Sequence, residues 1–85
     1  MRKVPGASLG AVLRRRRVQL GLNQTQVAKH CGVRPHYIGY LESERRRPSP
    51  KLMLKLARVL DLDAQELLIL ANPKLRSAER NSGSA

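Results

Sequence analysis

The chain has 85 residues, which allow one domain with a small core, and its one cysteine excludes an intramolecular disulfide framework. Its net charge of +11, from 17 Lys and Arg against 6 Asp and Glu, indicates an anionic partner. Nucleic acid is the leading candidate and an anionic membrane surface the weaker one, because no apolar run reaches the ~20 residues that a membrane span needs.

The first residues, MRKVPGASLG, lack the apolar region of a signal peptide, so we expect a reducing, cytoplasmic location. Trp and Phe are absent, so the core must be built from Leu, Val, Ile, Met and Ala. The apolar periodicity predicts an all-α domain of five short helices over residues 8–71. We expect a flexible basic arm over residues 1–7, with a contact to the DNA backbone as its alternative role, and a polar disordered tail over residues 72–85.

The first predicted helix runs from about Leu9 to Leu20, with Ser8 as its N-cap. Leu9, Leu13 and Leu20 share its apolar face. The four arginines at 14–17 are typical of a solvated surface. Arg16, however, falls on the apolar side, so we expect its aliphatic stem to pack and its guanidinium to reach solvent.

Residues 24–41, QTQVAKHCGVRPHYIGYL, predict two short helices joined by a turn. Gly32 lies just past the first of them, where a left-handed backbone is least costly for glycine. The apolar positions that two crossed helices require are filled by Val27, Ala28, Cys31, Ile38 and Leu41. This spacing is typical of a helix-turn-helix.

Two polar residues open this unit. Asn23 is a good N-cap, and Gln26 three residues later completes a capping-box pattern. Gln24 then stands in the first turn, at the positive end of the helix dipole, and suits a phosphate oxygen. Its alternative role is that of a helix-compatible polar residue. We include Asn23 with Gln24 among the phosphate-binding candidates.

The helix predicted over 35–43 carries both tyrosines of the chain. When its apolar residues face inward, His36, Tyr40 and Ser43 point outward, and Tyr37 lies beside them. An aromatic pair on a basic domain suggests contact with a base edge, a thymine methyl or a sugar. Packing against the preceding helix is the alternative for Tyr37.

Charged residues near the end of this helix have two predicted uses. Glu42 is the acid that we expect inside the fold, paired with Arg17 of the first helix, with a solvated Glu42 as the alternative. Arg45, Arg46 and Arg47 form a cationic cluster in the next loop, where they would bind phosphates beside the outward face. A solvated charge run is the alternative for this cluster.

The last two helices complete the predicted core. The fourth opens at Ser49, and its buried stripe consists of Met53, Leu56, Ala57 and Leu60. Asp63 caps the fifth, with Glu66 closing a capping box. Leu68 and Ile69 exceed what one buried face can hide, so they form either a dimer seam or a contact with the first helix.

From about Leu9 to Leu70 the chain resembles the lambda-repressor-like helix-turn-helix family of bacterial and phage regulators, also called XRE or Cro-type. The resemblance is carried by residues 17–24, RVQLGLNQ, and by Pro48-Ser49, Leu56-Ala57 and Leu60-Asp61-Leu62. It implies a compact five-helix DNA-binding domain whose third helix enters the major groove.

The same resemblance implies functional residues. The positions from which family members reach bases are matched by Pro35, His36, Tyr37 and Tyr40. It also implies that Gln24 holds a phosphate at the start of the second helix. Arg17 and Glu42 match the buried ion pair of the family.

The chain departs from the family at four positions. Glu44 stands where a glycine usually ends the recognition helix, so we expect that helix end to be strained, reshaped or lengthened. Arg34 replaces the usual Ser or Thr N-cap, which suggests a phosphate contact there. Gly39 replaces a common polar residue and removes one possible base contact. Asp61 replaces a frequent glycine after the fourth helix.

We therefore expect a transcriptional regulator of repressor type that binds double-stranded DNA in a sequence-specific manner as a homodimer. The full set of expected phosphate contacts is Arg17, Asn23, Gln24, Arg34, Ser43, Arg45, Arg46 and Arg47. An adaptor or antitoxin with the same fold and an RNA-binding protein are the alternatives, separable by their partners. In the cell we expect the protein at the bacterial nucleoid.

Catalytic, metal and cofactor sites are not expected. The serines lack His–acid partners at a recognisable spacing, so we expect no enzyme. His30, Cys31 and His36 fall on different faces and give no metal-binding pattern. We expect no cofactor, no small-molecule substrate and no membrane partner.

Overall fold

The computed structural model describes residues 8–72, and the arm expected over 1–7 and all but the first residue of the expected tail lie outside this range. All regular structure in the described part is helical. The helices are α1 (Leu9–Gln19), α2 (Gln24–Cys31), α3 (Pro35–Glu42), α4 (Pro50–Leu60) and α5 (Ala64–Ala71). The all-α, five-helix prediction is confirmed. Within residues 8–72, no helix combines the length and apolarity needed to cross a membrane.

One apolar core lies between the five helices. α2 crosses both α3 and α4, while α1 contacts α3, α4 and α5. The largest fully buried side chains are Leu41, Leu56, Leu60, Leu67, Val27 and Cys31. Burying one leucine contributes about 1.5–3 kcal/mol, so this cluster, which includes Leu41 of α3, stabilises the packing of α3 against the other helices.

Side-chain caps begin four of the helices. The Ser8 hydroxyl accepts from the Ala11 amide at 3.1 Å, and the Ser49 hydroxyl accepts from the Leu52 amide at 3.1 Å. Asn23 and Gln26 form the predicted reciprocal capping box. Each such cap contributes about 1 kcal/mol. Asp63 also caps α5, but its carboxylate accepts from Gln65 at 2.9 Å rather than from the predicted position three residues on.

One prediction for α1 was wrong and another was incomplete. Leu20 was expected on the buried face but is 39% exposed, because α1 ends at Gln19 and Leu20 is its C-cap. Arg16 does not simply extend into solvent. Its Nε donates to the Leu60 carbonyl at 2.9 Å, and its guanidinium lies 3.6 Å from the Asp61 carboxylate. Arg16 therefore closes the C-terminal end of α4, whose last carbonyls lack helical partners.

The end of α3 is reshaped rather than lengthened. The helix stops at Glu42, and Glu44 adopts a left-handed backbone with φ of 68°. The Arg45 amide donates to the Tyr40 carbonyl at 2.8 Å, and the Glu44 amide donates to the Leu41 carbonyl at 3.3 Å. These two bonds form a Schellman motif. This common helix end is therefore retained, although its left-handed position, where glycine is usual, is occupied by Glu44.

Candidate nucleic-acid interface

Three side chains form a continuous outward surface on and beside α3. The rings of His36 and Tyr40, one helical turn apart, meet edge to face with centroids 5.6 Å apart and planes at 75°. The Arg45 guanidinium carbon lies 5.9 Å from the Tyr40 ring centroid, within the range of a cation–π contact. We call this surface, made of His36, Tyr40 and Arg45, the aromatic–arginine face. It joins two predicted base readers to one predicted phosphate ligand.

The start of α3 is open to solvent. Pro35 occupies the first turn and is exposed, as is Arg34. Arg34 is the N-cap residue and makes no side-chain cap bond, so its guanidinium is not used to close the helix. Both residues lie at the end of α3 where the helix dipole is positive, which favours an approaching anion.

Two other residues of the predicted set have structural contacts. Tyr37 is half-buried and packs against the core, which is the alternative role that the sequence left open. Ser43 is exposed, and its hydroxyl donates to the Tyr40 carbonyl at 3.3 Å as part of the α3 end. Tyr37 is therefore less available to a ligand than His36, while Ser43 keeps its position beside the aromatic–arginine face.

A buried polar network supports this surface from behind. Arg17 Nε donates to Glu42 Oε2 at 2.6 Å, and a second guanidinium nitrogen donates to Oε1 at 3.1 Å. The third nitrogen donates to the Leu22 carbonyl at 2.9 Å. Gln24 Nε2 also donates to Glu42 Oε1, at 3.1 Å. The predicted ion pair is thus present, and its network joins α1, the turn before α2, α2 and α3.

The network leaves little of its charge in contact with water. The Arg17 side chain is 11% exposed and that of Glu42 is 5% exposed. A Cβ on Gly39 would lie 3.4 Å from Gln24 Oε1, an ordinary van der Waals distance, so the Gln24 amide lies directly beside the Gly39 backbone.

The remaining predicted phosphate ligands are exposed. Arg45, Arg46 and Arg47 all lie at the surface of the loop between α3 and α4. Asn23 is exposed as well, although its Oδ1 already accepts from the Gln26 amide at 2.7 Å. A positive surface at this loop therefore flanks the C-terminal end of α3.

Metal and thiol chemistry find no support at this surface. Across residues 8–72, no group of His, Cys, Asp and Glu side chains could hold a metal ion. Cys31 is 2% exposed in the core. Burial raises the pKa of its thiol above the usual 9.0, and the positive charge of Lys55 offsets part of that rise. Cys31 is a neutral packing residue.

The candidate dimer residues lie on α5. Leu68 is half-buried and packs against the core, and Ile69 is also half-buried. Both side chains are therefore partly accessible to solvent.

Sequence reasoning missed one contact beside the site. The Glu44 carboxylate accepts from the Gly10 amide at 2.5 Å, joining the loop after α3 to the first turn of α1. Glu44 occupies a position where glycine is usual, and this departure was a signal that its side chain makes a specific contact. No local pattern could name Gly10 as its partner, because 34 positions separate the two residues.

A helix-turn-helix family model matches residues 13–67 of this chain. A protein of Archaeoglobus fulgidus described as an uncharacterized HTH-type transcriptional regulator is 35% identical over 63 residues, covering 74% of this chain and 90% of that protein. The restriction-modification controller protein C.AhdI from Aeromonas hydrophila is 37% identical, with a TM-score of 0.65, covering 69% of this chain and 89% of that one.

A further solved structure is that of the P22 c2 repressor in complex with a synthetic operator. It is 27% identical, with a TM-score of 0.68, covering 71% of this chain and 91% of that one. The matched region spans the whole of α2 and α3 and therefore includes the aromatic–arginine face up to Arg45. The chain belongs to the lambda-repressor-like helix-turn-helix family of DNA-binding transcriptional regulators.

Proposed function

We propose that this protein regulates transcription, as a repressor, by binding duplex DNA with α3 in the major groove. The aromatic–arginine face is the observation that carries the proposal. An α-helix fits the major groove, and outward-facing rings one turn apart can contact thymine methyl groups and base edges there. Of the two rings in the aromatic–arginine face, that of His36 is exposed and that of Tyr40 is half-buried. His36 and Tyr40 are the main base readers, and Pro35 is a third contact at the helix start.

The phosphate contacts come from the rim of this face. Arg34, Arg45, Arg46 and Arg47 are exposed cations at the two ends of α3. Gln24, Asn23 and Ser43 are weaker candidates, because each already makes a hydrogen bond within the fold. If about 4–6 phosphates are neutralised, the logarithm of affinity should fall with the logarithm of salt concentration at a slope of about −4 to −5 per domain.

Arg17 is left out of the phosphate-contacting set. All three of its guanidinium nitrogens donate to groups inside the protein. Moving this side chain to a phosphate would leave the Glu42 carboxylate buried without its cation, which typically costs about 3–5 kcal/mol. Its role in the proposal is to hold α3 in place through Glu42.

A homodimer is the form that we propose on DNA. Two copies related by a twofold axis would place their α3 helices in successive major grooves, about 34 Å apart. Leu68 and Ile69 on α5 are the apolar residues that could join the copies. Because the proposed ligand is chromosomal or phage DNA, we place the protein in the cytoplasm, associated with the nucleoid.

Catalysis has no place in the proposal. The Ser8 and Ser49 hydroxyls accept hydrogen bonds from backbone amides, and the Ser43 hydroxyl donates to a backbone carbonyl. None of these bonds pairs a serine with a histidine base, as nucleophilic catalysis would require. The proposal accordingly includes no cofactor and no small-molecule substrate.

The test is a selection of bound sites from a pool of random duplexes, followed by titration at several salt concentrations. We expect enrichment of one near-palindromic sequence, with an affinity roughly 10³-fold or more above that for random DNA. Preference for single-stranded RNA over duplex DNA at fixed salt would favour an RNA-binding protein instead. A monomer with no salt-dependent binding to DNA would favour a protein-binding adaptor.

A further inference from the structure

Glu44 is an unusual residue for its position. It is a negative charge directly before Arg45, Arg46 and Arg47, in a surface that we propose to bind phosphates. Its backbone is left-handed, with φ of 68°. A residue other than glycine is strained in that conformation, which glycine adopts freely. The backbone alone therefore favours glycine here, and the side chain must supply a compensating contact.

The compensating contact is with α1. Glu44 Oε2 accepts from the Gly10 amide at 2.5 Å. The first amides of a helix have no carbonyl partner within the helix, and the dipole makes this end attractive to a carboxylate. Ser8 accepts from the Ala11 amide of the same turn. Glu44 and Ser8 therefore satisfy two of the unpaired donors of α1.

The absence of a side chain at Gly10 allows α1 to approach the end of α3 closely. A Cβ on Gly10 would lie 2.6 Å from the Leu41 carbonyl oxygen, and it would also meet the Glu42 carbonyl oxygen and the Glu44 carboxylate. The first turn of α1 consequently abuts the last turn of α3 at backbone distance. The Glu44 carboxylate lies at the edge of this contact, so it links α1 to the loop that follows α3.

The arginine loop shares a crevice with this link. A cavity of about 110 Å³ is lined by Ser8, Glu44, Arg46 and Arg47, together with the end of α5. The amides of Arg45 and Arg46 both donate to the Tyr40 carbonyl, at 2.8 Å and 3.3 Å. The loop is thus held to α3 by its backbone and to α1 by the Glu44 side chain.

We infer that Glu44 is a positioning residue that sets the selectivity of DNA binding, an inference that rests on the proposed function. Its carboxylate fixes where the three arginines stand relative to the base-reading helix. Phosphate contacts define the register of a protein on the duplex and thereby allow the base contacts to form. The negative charge also weakens binding to every sequence, since it repels phosphates. Glu44 therefore favours the preferred site over random DNA at the expense of total affinity.

The experiment compares Glu44→Gly and Glu44→Gln with the wild-type protein. The two variants have the same net charge, so a difference in DNA binding between them does not come from a difference in net charge. Glycine keeps the left-handed helix end and should fold, but it loses the acceptor. Glutamine keeps an oxygen that can accept from Gly10. The probes are a duplex carrying the site selected by the wild type and a random-sequence duplex of equal length.

Both variants should bind random DNA more tightly than the wild type. The ratio of specific to random affinity should fall by roughly five- to tenfold in Glu44→Gly, an effect of the size expected from one intramolecular hydrogen bond. Glu44→Gln should retain most of that ratio. The Gly10 amide should exchange its hydrogen faster in Glu44→Gly than in the other two proteins.

Each other result decides against the inference. An unchanged ratio in Glu44→Gly would show that the link does not position the arginines. An equal loss of ratio in both variants would assign the effect to charge and would overturn the positioning role. If the wild type itself shows no site preference, the proposed function fails and this inference fails with it, whereas a site-selective wild type with insensitive variants rejects the inference alone.

Discussion

Glu42 and Tyr40 are two residues apart on α3 but lie in opposite surroundings. The Glu42 side chain is 5% exposed and accepts from Arg17 and Gln24. Tyr40 stands in the aromatic–arginine face with His36 and Arg45. Removing Arg17 or Glu42 leaves a buried charge without a partner, whereas removing an exposed member of the outer face, such as His36, leaves water in its place. The inner side of α3 should therefore govern stability and the outer side recognition.

The largest effect is expected on the inner side. Glu42→Ala should lower the free energy of unfolding by about 3–5 kcal/mol, because the Arg17 guanidinium would remain buried without its counter-ion. Urea denaturation measures this change directly. Glu66→Ala, which removes an exposed acid from the first turn of α5, is the matched control and should cost less than about 1 kcal/mol. A loss below about 1 kcal/mol in Glu42→Ala would show that the pair is not structural.

The next effect belongs to the outer face. His36→Ala should leave the urea midpoint nearly unchanged, since His36 is exposed. On DNA it should lose about 1–3 kcal/mol of discrimination at one or two base pairs and little elsewhere. Affinities for a set of single base-pair variants of the selected site measure this. A uniform loss at every site variant would move His36 from the base-reading set to the phosphate-binding set.

Arg45 should behave differently from His36 although the two belong to one surface. Arg45→Ala should weaken specific and random duplexes alike and reduce the salt slope by about 1, because one phosphate contact is lost. Titrations at a series of salt concentrations give the slope. If the slope is unchanged while base preference shifts, Arg45 acts on the bases through Tyr40 rather than on the backbone.

The smallest effect concerns the buried thiol on the inner side of the domain. Burial raises the pKa of Cys31 above 9.0 in the folded state, so the folded protein holds this proton more tightly than the unfolded chain does. The stabilisation that comes from the neutral thiol is fully present below the unfolded value and is lost as pH rises through the folded pKa. The stability difference between wild type and Cys31→Ala should be constant near neutral pH and should narrow above about pH 9. A difference that stays constant at alkaline pH would place the thiol in contact with water.

Much of the fold followed from local patterns in the chain. The period of the apolar residues and the caps at Ser8, Asn23 and Ser49 determine where helices start and which faces are buried. The Arg17–Glu42 pair was also predicted, since a lone acid beside an apolar face requires a cation. The predicted burial of Leu20 was wrong, because Leu20 lies one residue past the end of α1, where the helical periodicity no longer applies.

The details of the candidate site depended on contacts between distant parts of the chain. Arg45 lies over Tyr40 only because the loop turns back through the left-handed Glu44. The bond from Gln24 to Glu42 spans 18 positions, and that from Gly10 to Glu44 spans 34. Such contacts are set by how α1, α2 and α3 cross, which no periodicity within a single helix specifies. The sequence therefore predicted which residues form the site, but it did not predict the contacts between helices that position them.

The most direct test is a site selection run in parallel with the wild-type protein and Tyr40→Ala. Tyr40 is at the centre of the aromatic–arginine face, in contact with both His36 and Arg45. If that face reads the major groove, the wild type should enrich one duplex sequence, and the variant should fold and enrich a sequence altered at specific base pairs. Recovery of the same sequence by both proteins would contradict the assignment of α3 as the reading helix.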